Sequence, residues 1–324
     1  MRQYPDVTRR EADVSRLRTV PFQGRHNKVD ASAMADPPGA DQSFHGFLAS
    51  LPDLLAARDL RAIIAHVAEA SRARKGVILL LGGHVIKTGL GPLVLRLLER
   101  GIVTHVAMNG AAAIHDFELA AFGGTSEDVE AGLADGTFGM AEETGAEMNA
   151  AVRAAAEEGL GFGEGLGRAL AARSALPGAG VSVVLGCQRH DVPLTVHAAI
   201  GAEIIHQHPS ADGAAIGATS LTDFRVLAGS LPTLHDGGAV LNWGSAVMMP
   251  EVFLKALTVA RNLGAGRPTG FLAADFDMIR HYRPRVNVVQ RPTRDGGVGY
   301  QLTGHHELLL PLLVWGVLDA LDRG

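Results

Sequence analysis

Short, continuous apolar runs alternate along the chain with longer segments whose apolar residues recur every three to four positions. The runs at residues 77–81 and 103–108 are each followed by a glycine-containing bend and then by a helical segment. Uninterrupted apolar runs of this length are typical of strands buried on both faces of a sheet. The repeated order of strand, glycine bend and helix predicts an α/β fold, a Rossmann-like doubly wound and mostly parallel sheet with helices on both faces.

The same periodicity assigns elements to the rest of the chain. Further strands are predicted at residues 181–185, 193–196, 202–205, 239–243, 271–274, 286–289 and 300–302. Helices are predicted at residues 44–67, 90–99, 114–122, 221–228, 251–263 and 307–321, with interrupted helix over 126–175. Residues 1–42 are polar and contain the linker-like segment 35–40, so we predict an arm there, followed by one domain over residues 43–324.

Composition narrows the functional classes. The chain has 324 residues, of which 47% are hydrophobic, a net charge of −5 and one cysteine. Without a global basic surface to neutralise phosphates, nucleic-acid binding is not expected. One thiol cannot form an internal disulfide, the N-terminal segment lacks an apolar signal core, and no apolar run approaches the ~20 residues that cross a bilayer. We therefore expect a cytoplasmic protein that binds a small molecule and no membrane.

Two glycine bends are candidates for ligand binding. Gly82-Gly83-His84 follows the first predicted strand, and the segment continues through Lys87. Glycine permits close approach of the backbone, and a helix N-terminus offers free N–H groups to an anion such as a pyrophosphate. The segment matches neither the G-x-G-x-x-G spacing nor the phosphate-loop pattern, so a tight turn without a ligand is the alternative.

The second bend, Asn109-Gly110-Ala111, follows the neighbouring predicted strand. Ligands of open α/β sheets bind beyond the carboxyl ends of the strands. We therefore predict that both bends, together with the bend after Trp243, gather at one rim and leave room for a ligand.

Three polar side chains, His115, Asp116 and Glu118, occur within four positions of the helix after the second bend. His115 and Glu118 are three residues apart and share a helical face. This spacing suits an acid–base pair. A capped helix with an exposed polar face is the alternative.

A third segment carries His206, His208 and Asp212, followed by Gly213. Two histidines two positions apart on an extended segment point to the same side, and with Asp212 they could ligate a metal. Imidazoles also hydrogen-bond substrates and cofactors, and strong zinc spacing is absent. No metal is assigned, and a metal-dependent hydrolase or lyase at these three residues is kept as an alternative function.

The order of these features resembles the deoxyhypusine synthase family. The shared features are the polar arm, the glycine-rich first bend before an apolar helix, and the path from residues 101–103 to the bend at 109–111. Residues 209–213 are similar to the family's Thr-Asp-Gly segment. The likeness covers most of the chain after residue 43, and it is based on the order in which the short motifs occur.

The resemblance implies a Rossmann-like, NAD-binding enzyme and a homotetramer whose active sites lie between subunits. In that family NAD oxidises a polyamine, an imine forms on an enzyme lysine, and an aminobutyl group is transferred. The positions implied to bind NAD are Gly82, Gly83, His84, Asn109, Gly110, Ala111, Asp212 and Gly213. Substrate contacts are assigned to His208, Trp243 and Glu251.

The family's catalytic lysine is replaced in this chain. Its Gly-Gly-Gly-Val-x-Lys-His-His motif aligns with residues 243–250, where Met249 stands at the lysine position. A thioether cannot form an imine, so modification of a protein lysine is not expected.

We expect instead an NAD-dependent enzyme, of transferase or oxidoreductase type, that acts on a small amine, a polyamine or a hydroxyl compound. A non-catalytic binding or assembly protein with the same fold is the alternative. His115 or His206 is the expected base, and Lys87 or Lys255 could substitute as nucleophile. The residues expected to orient the substrate are Asp116, Glu118 and Asp212.

Overall fold

The computed structural model describes residues 12–264 and 266–323, and a six-stranded sheet forms its centre. The strands are β1 Val77–Leu81, β2 His105–Asn109, β3 Leu194–His197, β4 Ala239–Trp243, β5 Leu272–Asp277 and β6 Val298–Thr303. All neighbouring strands pair in parallel, in the order β3-β2-β1-β4-β5-β6. The predicted Rossmann-like, doubly wound α/β fold is confirmed, and the strand order reverses between β1 and β4.

Helices connect the strands. They are α1 Phe44–Ser50, α2 Leu55–Arg72, α3 Gly83–Lys87, α4 Gly91–Glu99, α5 Gly110–Phe122, α6 Val129–Asp135, α7 Glu142–Glu157, α8 Phe162–Ala171, α9 Val183–Arg189, α10 Gly213–Ser230, α11 Met248–Leu263 and α12 His306–Arg323. A π-helix covers Pro284–Gln290. None of the helices in the described ranges is long and apolar enough to cross a membrane.

The two faces of the sheet are buried in separate hydrophobic cores. Leu79 and Leu81 of β1 belong to the core that also contains the apolar sides of α2, α4, α5 and α12. Ile78 and Leu80 belong to the core formed with α10, α11 and the π-helix. Side chains alternate between the two faces along a strand, so burial of both faces explains why β1 is apolar at every position.

Three of the predicted strands are wrong. Residues 181–185 lead into α9, whose N-terminus is capped by Ser182 through the Leu185 N–H at 3.1 Å. Residues 202–205 overlap a 3-10 helix at Ile204–Gln207, and residues 286–289 lie in the π-helix. Each segment is short and rich in aliphatic residues, and periodicity alone does not separate a strand from a helical turn in such a segment.

Several predicted helices have different bounds. The helix predicted at 44–67 is divided into α1 and α2 around Pro52, since the residue before a proline disfavours helical geometry. The interrupted helix over 126–175 is resolved into α6, α7 and α8. The described part of the arm, residues 12–42, is almost entirely exposed, and residues 1–11 of the predicted arm lie outside the described residues.

Candidate functional site

The bends after β1, β2 and β4 meet at the carboxyl edge of the sheet. A Cβ atom placed on Gly82 would lie 2.1 Å from the carbonyl oxygen of Gly244, and one on Gly83 would lie 3.2 Å from the Cβ of Ala111. At Gly82 only glycine allows this approach of one backbone to another. Most of the space between the bends after β1 and β4 is therefore filled by the bends themselves.

A cavity of about 220 Å³ opens beside these bends, against α5. Its lining includes Lys87 at the end of α3, His115 and Glu118 of α5, and the carboxylates of Glu127 and Glu203. The structure thus brings together three of the predicted catalytic residues. It adds two acidic residues that the sequence patterns did not single out.

A hydrogen-bonded relay fixes the proton of His115. The hydroxyl of Thr125 lies 2.8 Å from Nδ1 of His115 and donates to one oxygen of Glu118, while Thr144 donates to the other oxygen at 3.0 Å. A carboxylate only accepts, so the Thr125 proton points to Glu118 and the Thr125 oxygen accepts from the Nδ1–H of His115. Nε2 of His115 is left without a proton.

The environment of His115 favours its neutral form. Burial, and then the positive charges of Lys87 and His84, lower the pKa of the His115 imidazole. A neutral imidazole with an unprotonated Nε2 can accept a proton from a molecule in the cavity. His115 and Glu118, predicted as an acid–base pair, are thus linked through Thr125, and their catalytic role stays a prediction.

Glu203 supplies a second titratable group. Its side chain is 4% exposed and lies over Gly110, where an added Cβ atom would be 2.2 Å from the Glu203 carboxyl carbon. One oxygen accepts from the N–H of Ala199 at 2.8 Å. Burial raises the pKa of Glu203 to about 7, against the opposing effect of that hydrogen bond. Glu203 therefore holds a proton about half of the time near neutral pH.

His206 lies behind Glu203. The N–H of Gly201 donates to Nδ1 of His206 at 3.1 Å, which places the imidazole proton on Nε2, 3.1 Å from Glu203 Oε2. Burial lowers the pKa of His206. His206 thus lies beside Glu203, one step away from the cavity, but neither its Nε2 nor Oε2 of Glu203 makes a hydrogen bond within the described residues.

The other members of the third segment turn to different partners. Nε2 of His208 lies 3.0 Å from the carbonyl oxygen of Gly139, and Asp212 caps α10 by accepting from the N–H groups of Ala214 and Ala215. The expectation that the two histidines point to one side is wrong, because the segment forms a 3-10 turn and is not extended. Within residues 12–264 and 266–323, no group of three potential ligands could hold a metal ion.

Asp116 is outside the cavity, which corrects its predicted role. It is fully buried and accepts from Ser182 Oγ at 2.6 Å and from the N–H groups of Val183 and Val184 at 2.7 and 3.1 Å. Burial raises its pKa to about 6, against the lowering effect of these hydrogen bonds. Asp116 holds the N-terminus of α9.

The predicted substrate contacts also lie elsewhere. Trp243 is completely buried in β4, edge-on to Phe276. Glu251 accepts from Lys255, from Arg283 at 3.2 Å and from Asn287 at 2.8 Å, and these bonds tie α11 to the π-helix. Neither residue lines the cavity.

The residues predicted to bind NAD do not form a dinucleotide cradle. Asn109 caps α5 through the N–H of Ala112 at 2.9 Å, and His84 packs near His306, with ring centroids 5.7 Å apart. The Glu203 carboxyl group covers Gly110, one of the positions predicted to lie beside NAD. With the Glu203 carboxyl group over Gly110, the described conformation leaves no room for a dinucleotide at that bend.

Comparison with known proteins gives similarity to solved structures only. No family model and no curated protein matches the sequence. The chain is similar to the arginine dihydrolase ArgZ of the cyanobacterial ornithine–ammonia cycle, at 16% identity over 82% of this chain and 33% of ArgZ, with a TM-score of 0.46. AgrE, solved in a ternary complex with ornithine and NAD+, gives 15% identity over 84% and 35% of the two chains and a TM-score of 0.49.

A protein from Entamoeba histolytica proposed to be a deoxyhypusine synthase is also similar, at 12% identity over 86% of this chain and 94% of that protein, with a TM-score of 0.48. The family that the sequence resembles is thus represented among the similar structures. This chain spans about a third of the length of ArgZ and AgrE. Because these TM-scores are below 0.5, the fold assignment rests on the strand order of this chain.

Proposed function

We propose that this protein is an enzyme that exchanges protons with a small amine or hydroxyl compound bound in the cavity beside α5. The observation that carries the proposal is the relay from Glu118 through Thr125 to His115, which leaves Nε2 of His115 free to act as a base. Glu203 has a pKa near neutral pH and is the matching proton donor.

The charges that line the cavity favour this substrate class. Glu118, Glu127 and Glu203 supply carboxyl oxygens to an ammonium or hydroxyl group, and Lys87 can pair with an oxygen that becomes negative during the reaction. The volume of about 220 Å³ suits a molecule with a short carbon chain. The NAD dependence that the resemblance implies is not used in any step, because the predicted cradle does not fit NAD.

The proposal is tested by incubating the protein in D₂O with ornithine and small hydroxy acids, which carry a C–H beside a carboxylate, and following the C–H signals by proton NMR. We expect one of these classes to exchange a C–H proton for deuterium, with His115→Gln reducing the rate by roughly 100-fold or more. His190→Gln removes an exposed histidine remote from the cavity and serves as control. Binding without exchange would favour the non-catalytic alternative, and the absence of binding would overturn the site.

A further inference from the structure

A second cavity lies on the face of the sheet covered by α10 and α11, where β3 ends. It measures about 280 Å³, and its apolar lining includes Ile200, Ile216, Leu221, Phe224 and Val252. None of the described residues that line it carries a charge. Its polar side chains are Ser220 and His197.

The hydroxyl of Ser220 is already used within the fold. It accepts from the N–H of Ala198 at 3.0 Å and donates to the carbonyl of Val196 at 3.4 Å. His197 is therefore the polar side chain that remains to contact a ligand.

A buried hydrogen-bond chain holds the His197 ring in place. Nε2 of His197 lies 3.0 Å from Oγ1 of Thr195, and Thr195 lies 3.0 Å from Nε2 of His105. Nδ1 of His105 in turn lies 2.9 Å from the hydroxyl of Ser230. Thr195 has one proton, so it donates to one imidazole and accepts from the other.

The other nitrogen of His197, Nδ1, has no hydrogen-bond partner among the described residues. Burial lowers the pKa of His197 to about 4, and burial followed by the charge of His197 lowers that of His105 to about 3. Both rings are neutral near pH 7 and carry one proton each. Ser230 donates its proton to the carbonyl of Val226 at 3.2 Å, so it accepts from the Nδ1–H of His105. Thr195 then donates to Nε2 of His105 and accepts from the Nε2–H of His197, which leaves Nδ1 of His197 as an acceptor.

We propose that this cavity binds a small, uncharged molecule with an apolar body and one hydroxyl group, a phenol or a short alcohol, whose hydroxyl bonds to Nδ1 of His197. A hydroxyl donates a proton, so it matches the unprotonated Nδ1 of His197. An apolar cavity of about 150 Å³ holds benzene, so about 280 Å³ has room for a substituted ring. This site is independent of the cavity beside α5.

The probe is p-cresol, compared with toluene, in titrations of the full chain by calorimetry and ligand-detected NMR. Because only p-cresol can form the hydrogen bond to Nδ1 of His197, we expect it to bind roughly three- to tenfold more tightly than toluene. The side-chain ¹⁵Nδ1 signal of His197 should shift with p-cresol and not with toluene. Equal affinities, or an unchanged ¹⁵N signal, would overturn the proposed contact.

Gly217→Leu tests the location of the site. Gly217 lines the cavity on α10, and a Cβ atom there would have no neighbour within 4 Å, so leucine fits and fills the space. Gly229→Leu is the matched control, since it also adds a leucine at an open position of α10 outside the cavity lining. We expect at least tenfold weaker p-cresol binding for Gly217→Leu and no change for Gly229→Leu.

His197→Phe keeps an aromatic ring and removes the nitrogen, so p-cresol should lose its advantage over toluene. If that variant does not fold, the ¹⁵N experiment on the unaltered chain decides. Failure of p-cresol to bind would reject the proposal. That result leaves the deuterium-exchange experiment at the cavity beside α5 unaffected.

Discussion

Neighbouring residues of α5 have different roles because each step along a helix rotates the side chain by about 100°. His115 and Glu118 line the cavity, whereas Asp116 points to the N-terminus of α9. The i,i+3 spacing in the sequence was sufficient to predict the first pair. It could not show which of three adjacent polar residues is buried in a structural role, since that depends on packing against a segment 66 residues away.

Replacing Thr125 tests how the proton of His115 is fixed. Thr125→Val conserves volume but removes the hydroxyl that links His115 to Glu118. We expect the Nδ1–H form of His115 to lose its dominance, so that ¹⁵N NMR reports a mixture of the two neutral forms. The hydroxyl of Thr144 bonds the same carboxylate but not His115, so Thr144→Val is the control and should leave the His115 signals in place.

Glu203 should make the protein less stable as the pH rises. Its pKa is about 7 in the folded protein and 4.5 as the ordinary value, so folding favours the protonated form. The folded state is therefore penalised progressively between pH 4.5 and pH 7, and the penalty is complete above pH 7. Glu203→Gln removes this pH dependence. Between pH 4 and pH 8, its free energy of unfolding should therefore rise by about 2–3 kcal/mol relative to that of the unaltered chain.

Urea unfolding of both proteins at the two pH values measures this difference. Asp116, Asp223 and Asp275 also have raised pKa values, but they are present in both proteins and cancel in the comparison. If the difference in free energy of unfolding between variant and parent is the same at both pH values, the raised pKa of Glu203 is contradicted. Sequence patterns do not single out Glu203. They predict a strand at residues 202–205, whereas the chain forms a turn there after β3.

At the scale of elements, α9 is a short helix whose N-terminus is held by a residue from another helix. Asp116→Ala would leave the N–H groups of Val183 and Val184 buried without acceptors, at a cost of about 2–4 kcal/mol. Asp128→Ala removes an exposed cap of α6 that accepts from the Ala131 N–H at 3.1 Å, and should cost only about 1 kcal/mol. Denaturant unfolding measures the stability lost in each variant. Equal losses would show that a buried cap such as Asp116 contributes no more to stability than an exposed one.

The strands with uninterrupted apolar runs at the sheet centre were predictable, because burial on both faces leaves an unmistakable composition. The segments at 181–185 and 286–289 have the same composition but form helices. In residues 181–185, hydrogen bonds from Ser182 and to Asp116 stabilise the start of the helix, and Asp116 is remote in sequence. Capping by Asp212, by contrast, was readable in the sequence and would have placed the start of α10 correctly.

At the scale of the whole molecule, the predicted topology of the sheet is confirmed. The space predicted for a ligand between the bends is instead largely filled by the protein itself. The bends after β1, β2 and β4 do meet, but Gly82 packs on Gly244 and Glu203 covers Gly110. Sequence patterns identify which strand ends share an edge. They do not give the separation of the bends or the side chain that occupies the space between them. Assembly as a homotetramer with shared active sites stays a prediction.

NAD should not raise the melting temperature of this chain. A ligand that binds only the folded state stabilises it in proportion to the logarithm of its concentration, so a titration followed by differential scanning fluorimetry is sensitive to weak binding. We expect no concentration-dependent shift up to a large excess of NAD. A progressive rise would show that Glu203 and the bends move apart to admit the dinucleotide.

The pairing of β1 with β4 has a consequence during synthesis. Val77 lies opposite Ala239, so the most apolar strand keeps one edge open until more than two thirds of the polypeptide has left the ribosome. In the interval β1 can pair only with β2, and its other side is a template for wrong partners. A nascent chain stalled before residue 239 should therefore depend on chaperones far more than one stalled beyond residue 303.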